Sequence, residues 1–143
     1  MGKNINKNRV NVPEQDPRAR IHNFKEVNLG YTLEMALEEA SRCLQCPEAK
    51  APCRKGCPVE VNIPAFLEKL LEQDIKGSLE VIKETNSLPG ITGRVCPQEE
   101  QCEVNCMMGK LGDTINIGKL ERFVADYARD HGIIGETSVQ EKK

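Results

Sequence analysis

The sequence predicts an all-α domain, and three observations carry that expectation. Apolar residues recur at three- and four-residue spacing in several stretches. Residues suited to helix ends stand at the borders of those stretches, Thr32 and Asn62 at starts and Gly132 at a stop. No run of alternating polar and apolar residues argues for a strand.

Residues 1–31 read as an extended N-terminal arm, with Pro13, Pro17 and Gly30 as breakers and little periodicity. A first helix follows Thr32 as N-cap, with Leu33, Ala36, Leu37, Ala40 and Leu44 on one face. It leads into Cys43 and Cys46. Asn62 caps a second helix whose first turn accepts Pro64, because the missing N–H there would have no partner in any case. Ile63, Phe66, Leu67, Leu70 and Leu71 form its apolar stripe. Gly77 is expected to separate it from a third helix, with Leu79, Ile82 and Thr85 facing inward. The stretch from Asn86 to Gly112 contains three Cys, two Pro and four Gly, and predicts loop with one short helix. A last helix from about Gly118 to His131 buries Leu120, Phe123, Val124 and Tyr127. The helical domain is therefore 32–132, and 133–143 is a polar tail. Met107 and Met108 read as gap-filling core residues.

Composition bounds what such a domain can do. At 143 residues the chain makes one domain. Three Phe, two Tyr and no Trp supply little of the ring area that usually fills a core. The seven cysteines are the candidates for making up the difference. Twenty basic against 22 acidic residues give a net charge of −2, which argues against nucleic acid as the main ligand. No apolar run approaches the ~20 residues needed to span a bilayer, and Met1 to Val12 lack the apolar stretch of a signal peptide. A cytoplasmic protein is expected. In a reducing compartment an odd set of seven thiols favours metal binding or redox chemistry over disulfides.

The thiols fall in two groups, Cys43-x2-Cys46-x6-Cys53-x3-Cys57-Pro58 and Cys96-Pro97-x4-Cys102-x3-Cys106. Structural zinc usually uses two C-x2-C knuckles, and only one is present; His22 and His131 lie far from the thiols and read as surface or helix-end residues. Iron–sulfur ligation fits best, with zinc as the alternative. The bacterial ferredoxin run C-x2-C-x2-C-x3-C-P appears here with a longer middle gap, proline again following its last Cys. Two four-iron clusters need eight ligands, so seven thiolates leave one iron open or call for a non-thiolate donor. The motif C-x3-C-x2-C of radical enzymes is absent.

Three segments in order, Cys43 to Pro64, Gly93-Arg94-Val95-Cys96-Pro97-Gln98-Glu99 and Ile117-Gly118-Lys119-Leu120-Glu121-Arg122-Phe123, resemble the N-terminal iron–sulfur domain of the glutamate synthase small subunit. A similar domain opens dihydropyrimidine dehydrogenase and the large subunit of NADH-dependent ferredoxin:NADP oxidoreductase. The resemblance covers roughly residues 13 to 132. It implies an α-helical ferredoxin-like domain with two [4Fe–4S] clusters and interlaced ligands. One cluster would use Cys43, Cys46, Cys53 and Cys106; the other Cys57, Cys96, Cys102 and a non-cysteine residue of the last helix. Glu121 stands where the family places that residue, Gln in dihydropyrimidine dehydrogenase. It also shares a helix face with Val124 and Ala128; its simpler reading is an acidic residue favoured near a helix N-terminus. Thr92 stands where dihydropyrimidine dehydrogenase carries a further, non-ligand Cys.

The resemblance implies an electron relay between a flavin in an NAD(P)H-dependent oxidoreductase and a partner redox subunit. FAD and NAD(P)H would belong to a flavoprotein half that follows in the family, so 133–143 would be a truncated linker and the chain an excised domain. No G-x-G-x-x-G occurs in this chain, and catalytic residues of its own are not expected. Arg94 either places positive charge beside a cluster or is a solvated surface residue. The competing function is a metal-stabilised interaction module without a redox role, and scarce aromatics suit it equally.

Overall fold

A computed structural model describes residues 4–134. The expected tail or linker falls almost entirely on residues 135–143, outside the described residues. Among the described residues seven α-helices follow in order: α1 (Pro17–Arg20), α2 (Leu33–Ser41), α3 (Pro52–Gly56), α4 (Ile63–Leu71), α5 (Ile75–Lys83), α6 (Pro89–Val95) and α7 (Ile117–Asp130). Short 3-10 turns occupy Glu48–Lys50, Gln98–Glu100, Glu103–Asn105 and Met107–Lys110. Among the described residues no strand forms, and a single antiparallel bridge joins Glu14 to Asn28. The fold is all-α. No helix is long and apolar enough to cross a membrane among those residues.

Side chains cap the starts of α2, α4 and α5. Thr32, Asn62 and Asp74 accept hydrogen bonds from the backbone N–H groups of Met35, Ala65 and Gly77, each meeting a donor that the helix itself leaves free. The expected break at Gly77 is corrected by this geometry. The turn lies at 72–74, where Gln73 takes a positive φ of 59° and Asp74 starts α5, leaving Gly77 inside the first turn. A Cβ on Gly77 would lie 2.2 Å from the capping carboxylate, so glycine there serves the cap. Thr85 is exposed beyond the end of α5, and Leu44 lies past the end of α2, 38% exposed, so neither extends its stripe.

The core is assembled from Phe66, Leu67 and Leu70 of α4, Leu79 and Ile82 of α5, and Leu120, Phe123 and Val124 of α7. Removing each such side chain from water is worth about 2 kcal/mol. Helix α7 packs against α2, α5 and α6, and Ala36 and Ala40 of α2 are fully buried. Tyr127 of α7 is half-buried and stacks on His131, the C-cap residue, at 3.9 Å between ring centroids. Gly132 follows with φ +65°, the left-handed conformation that ends a helix. Met108 is fully buried in the core.

Two ion-pair networks help to fasten the N-terminal segment. Glu39 and Arg42 of the α2 region form an ion pair of 2.7 Å with side chains 0% and 1% exposed. Arg42 donates from Nε to the Asn6 carbonyl and from Nη2 to those of Lys7 and Asp113. Glu39 accepts from the Val10 and Asn116 amides at 2.8 and 2.9 Å. This buried pair therefore clasps residues 6–10 to α2 and to the segment before α7. Further along, Glu26 pairs with Arg94 and Arg122, both of which also pair with Asp126. Neither expected role of Arg94 fits: it is engaged by two carboxylates and ties the arm to α6 and α7.

Candidate functional site

All seven cysteines are free, and they line two separate cavities. Cys43, Cys46, Cys53 and Cys106 line the first, together with Pro52, Pro64 and Met108. Cys57, Cys96, Cys102 and Glu121 line the second, beside Asn86, Thr92 and Gln98. The eight side chains are brought together in the same two groups that the resemblance implies. His22 is exposed, and His131 sits at the C-terminus of α7; neither lines a cysteine cavity.

Local structure explains why neighbouring cysteines part company. Cys53 lies within α3 and Cys57 is its C-cap, one turn further on, with a backbone hydrogen bond of 3.1 Å from Cys57 N to Cys53 O. Cys102 and Cys106 bracket the 3-10 turn Glu103–Asn105 in the same way. Each short turn delivers one cysteine to each cavity. Helix α3 packs on the turn 103–105, so these two pieces form the partition between the cavities. Gly56 permits that contact, since a Cβ there would lie 2.4 Å from Asn105 Nδ2 and 2.5 Å from the Gln101 carbonyl.

Two more glycines bring the remaining walls together. A Cβ on Gly93 would meet the Arg122 backbone N at 2.7 Å, so α6 and α7 approach almost backbone to backbone at that point. A Cβ on Gly118 would collide with the Gln98 side chain at 2.4 Å. Glu121 is thereby placed against α6. Its Oε1 accepts from Asn86 Nδ2 at 3.0 Å and from the Thr92 hydroxyl. In the first cavity the Cys43-x2-Cys46 loop turns at Gln45, φ 51°, and the Gln45 amide points to Cys43 Sγ at 3.4 Å. That is an N–H···S contact of the kind that tunes a metal–thiolate centre.

Electrostatics repeat the grouping. Burial pushes the Cys43 thiol up to about 11, reinforced by Cys106 and Cys46. It pushes Cys53 up to about 12, again reinforced by Cys106, Cys43 and Cys46. Burial raises Cys102 to about 12, reinforced by Glu103, Cys57 and Glu121, and Cys96 is raised by burial, Glu121 and Cys57. The Glu121 carboxyl is raised by burial against the opposing hydrogen bonds of Thr92 and Asn86. Thiols so placed are protonated near neutral pH, so metal that binds them must displace protons.

The donors suit a polynuclear iron–sulfur group. Thiolate is the donor such groups take, and seven thiols with one carboxylate divide into two sets of four. Among the described residues no three His, Cys, Asp or Glu side chains are grouped as ligands of a single ion. The first cavity is narrow, about 20 Å³, and the second about 140 Å³. Holding a group of several atoms in the first would require its cysteine side chains to swing outward by χ1 rotation.

These features define a class: a small helical domain built around cysteine-lined cavities. Residues 20–133 match the family described as dihydropyrimidine dehydrogenase domain II, 4Fe-4S cluster, and the chain belongs to that family. It is 39% identical over 114 residues to the putative oxidoreductase AegA of Escherichia coli, covering 80% of this chain and 17% of that protein. It is 36% identical over 108 residues to the NAD-dependent dihydropyrimidine dehydrogenase subunit PreT of the same organism, covering 76% and 26%. It is 37% identical over 123 residues to the glutamate synthase [NADPH] small chain of Azospirillum brasilense, covering 85% and 25%. The chain thus spans about a quarter or less of the length of these relatives.

Sequence reasoning missed the Asn86–Thr92 pair on the second cavity wall and the Glu39–Arg42 clasp. One signal for Thr92 was present: it precedes Cys96 by four residues, one helical turn, and Cys96 N donates to its carbonyl at 3.0 Å.

Proposed function

We propose that this chain is an electron-transfer domain carrying two [4Fe–4S] clusters, one on Cys43, Cys46, Cys53 and Cys106, the other on Cys57, Cys96, Cys102 and Glu121. The observation that carries the reading is the sorting of eight donors into two sets of four by α3 and the turn 103–105. When bound, such a cluster accepts and returns one electron at a time. The chain's own residues hold the two sites apart, bury Cys53 and Cys102 while leaving the other five thiols partly exposed, and supply an amide contact to Cys43. In this reading 32–132 is the cluster-binding unit, 1–31 the arm that braces it, and 133–143 leads toward a flavin- and NAD(P)H-binding half. The relay runs between that flavin and a partner redox subunit. Support comes from relatives named as NAD-dependent and NADPH-dependent oxidoreductase components, each several times longer than this chain.

Anaerobic purification tests this directly. The protein should be brown, contain about eight irons per chain and bleach with dithionite. Colourless protein with about two zincs would instead support the non-redox interaction module.

A further inference from the structure

The carboxylate of Glu121 is bound on one side only. Both of its hydrogen bonds among the described residues fall on Oε1, one from Asn86 Nδ2 at 3.0 Å and one from the Thr92 hydroxyl. Oε2 has no such partner, and it is not sealed in, since no buried side-chain oxygen is left without a hydrogen bond. Glu121 lines the second cavity with three cysteines.

The two donors are themselves fully committed. Asn86 is 8% exposed, and its Oδ1 accepts from Leu88 N at 3.1 Å, which fixes the amide orientation. Its Nδ2 then spends one hydrogen on Thr92 Oγ1, at 2.8 Å, and the other on Glu121. The Thr92 hydroxyl has a single hydrogen and two acceptors in reach, the Leu88 carbonyl at 3.1 Å and Glu121 Oε1. The shorter, charge-assisted bond to the carboxylate is the stronger. Gly93 lets α6 approach the Arg122 backbone of α7 closely, which sets Thr92 beside Glu121.

We infer that Thr92 and Asn86 are positioning residues for the second metal site: they saturate Oε1 of Glu121 and leave Oε2 as its one available donor, making the carboxylate a monodentate ligand. This rests on the reading that Glu121 completes that site. Partners of this kind typically matter by about 10–100-fold in metal affinity.

The test uses the full chain with its clusters assembled anaerobically. Thr92→Val keeps the side-chain shape and removes the hydroxyl; Thr92→Ser keeps the hydroxyl. Electron paramagnetic resonance of the dithionite-reduced protein and the rate of iron release to bathophenanthroline are recorded for each. Expected for Thr92→Val is a changed signal and roughly tenfold faster iron release from one cluster. The other cluster should be unchanged, and Thr92→Ser should behave as the parent. Should Thr92→Val lose both clusters, Thr92→Ser decides: parent-like signals support the role of the hydroxyl, and altered ones overturn it. Parent-like signals and release in Thr92→Val, with one cluster altered in Glu121→Ala, overturn the positioning role while leaving Glu121 as ligand. If Glu121→Ala also leaves both clusters unchanged, the ligand reading falls and the inference with it.

Discussion

Cys53 and Cys57 are joined by a backbone hydrogen bond of 3.1 Å, one helical turn apart, yet they line different cavities. Sequence proximity therefore misreports partnership. Replacing Cys53 and Cys106, 53 positions apart in the chain, should deplete the same cluster signal. Replacing Cys57 and Cys102 should deplete the other. Each alanine variant is expected to hold about four irons instead of about eight. Loss of different signals from Cys53→Ala and Cys106→Ala proteins would contradict the sorting.

Gly93→Ala should be destabilising despite its small size. The new methyl meets backbone at Arg122 rather than a flexible side-chain end, so α6 must move away from α7. Overpacking of this kind costs about 1–3 kcal/mol. Denaturant unfolding checks the magnitude. Because Thr92 and Glu121 ride on the same two helices, the second cluster should also lose iron faster than the first.

Arg42→Met should cost more. Glu39 is fully buried, and removing the guanidinium leaves its carboxylate with only the Val10 and Asn116 amides. Breaking a buried pair by deleting one partner costs about 3–5 kcal/mol. The measured unfolding free energy should fall by that order, and limited proteolysis should open first within residues 6–10, which lose the bonds from Arg42 to the Asn6 and Lys7 carbonyls.

Acid should weaken the other fastening of the arm. The hydrogen bond from Arg94 and the charge of Arg122 hold the Glu26 carboxyl below its usual range. Burial opposes the shift at Asp126, but hydrogen bonds and charge from Arg94, with Arg122 and Arg129, outweigh it and hold that carboxyl low too. A carboxyl lowered on folding contributes stability that is complete above its unfolded value and is lost as pH falls through the folded one. The stability gap between the parent and Asp126→Asn should thus be of order 1 kcal/mol at neutral pH, as for a partly exposed network. It should shrink progressively below about pH 4. Paired denaturant titrations at matched pH measure it, and a gap that widened in acid would contradict the assignment.

Helices α2, α4 and α7 were legible because each carries a stripe and an end signal, as with Asn62 before Ile63, Phe66, Leu67 and Leu70, and α5 was found by its stripe alone. Gly77 misled because a glycine can end one helix or make room for the cap of the next, and only the Asp74 carboxylate decides between them. Helix α3 is five residues long, too short to express a period, although it divides the two cavities. Cysteine spacing suggested iron–sulfur chemistry, but which thiols share a wall depends on turns of this length and came from the family resemblance alone. Arg94 resisted reading for another reason. Its partners Glu26 and Asp126 lie 68 and 32 residues away, a separation that local pattern does not encode.

Under the proposed ligand sets, the crossing of donors through α3 and the turn 103–105 makes the two sites interdependent. A break anywhere between Cys57 and Cys96 strands Cys106 from its three companions and Cys57 from its own. Neither fragment then holds all four donors of either proposed site, so each fragment alone is expected to assemble no complete cluster.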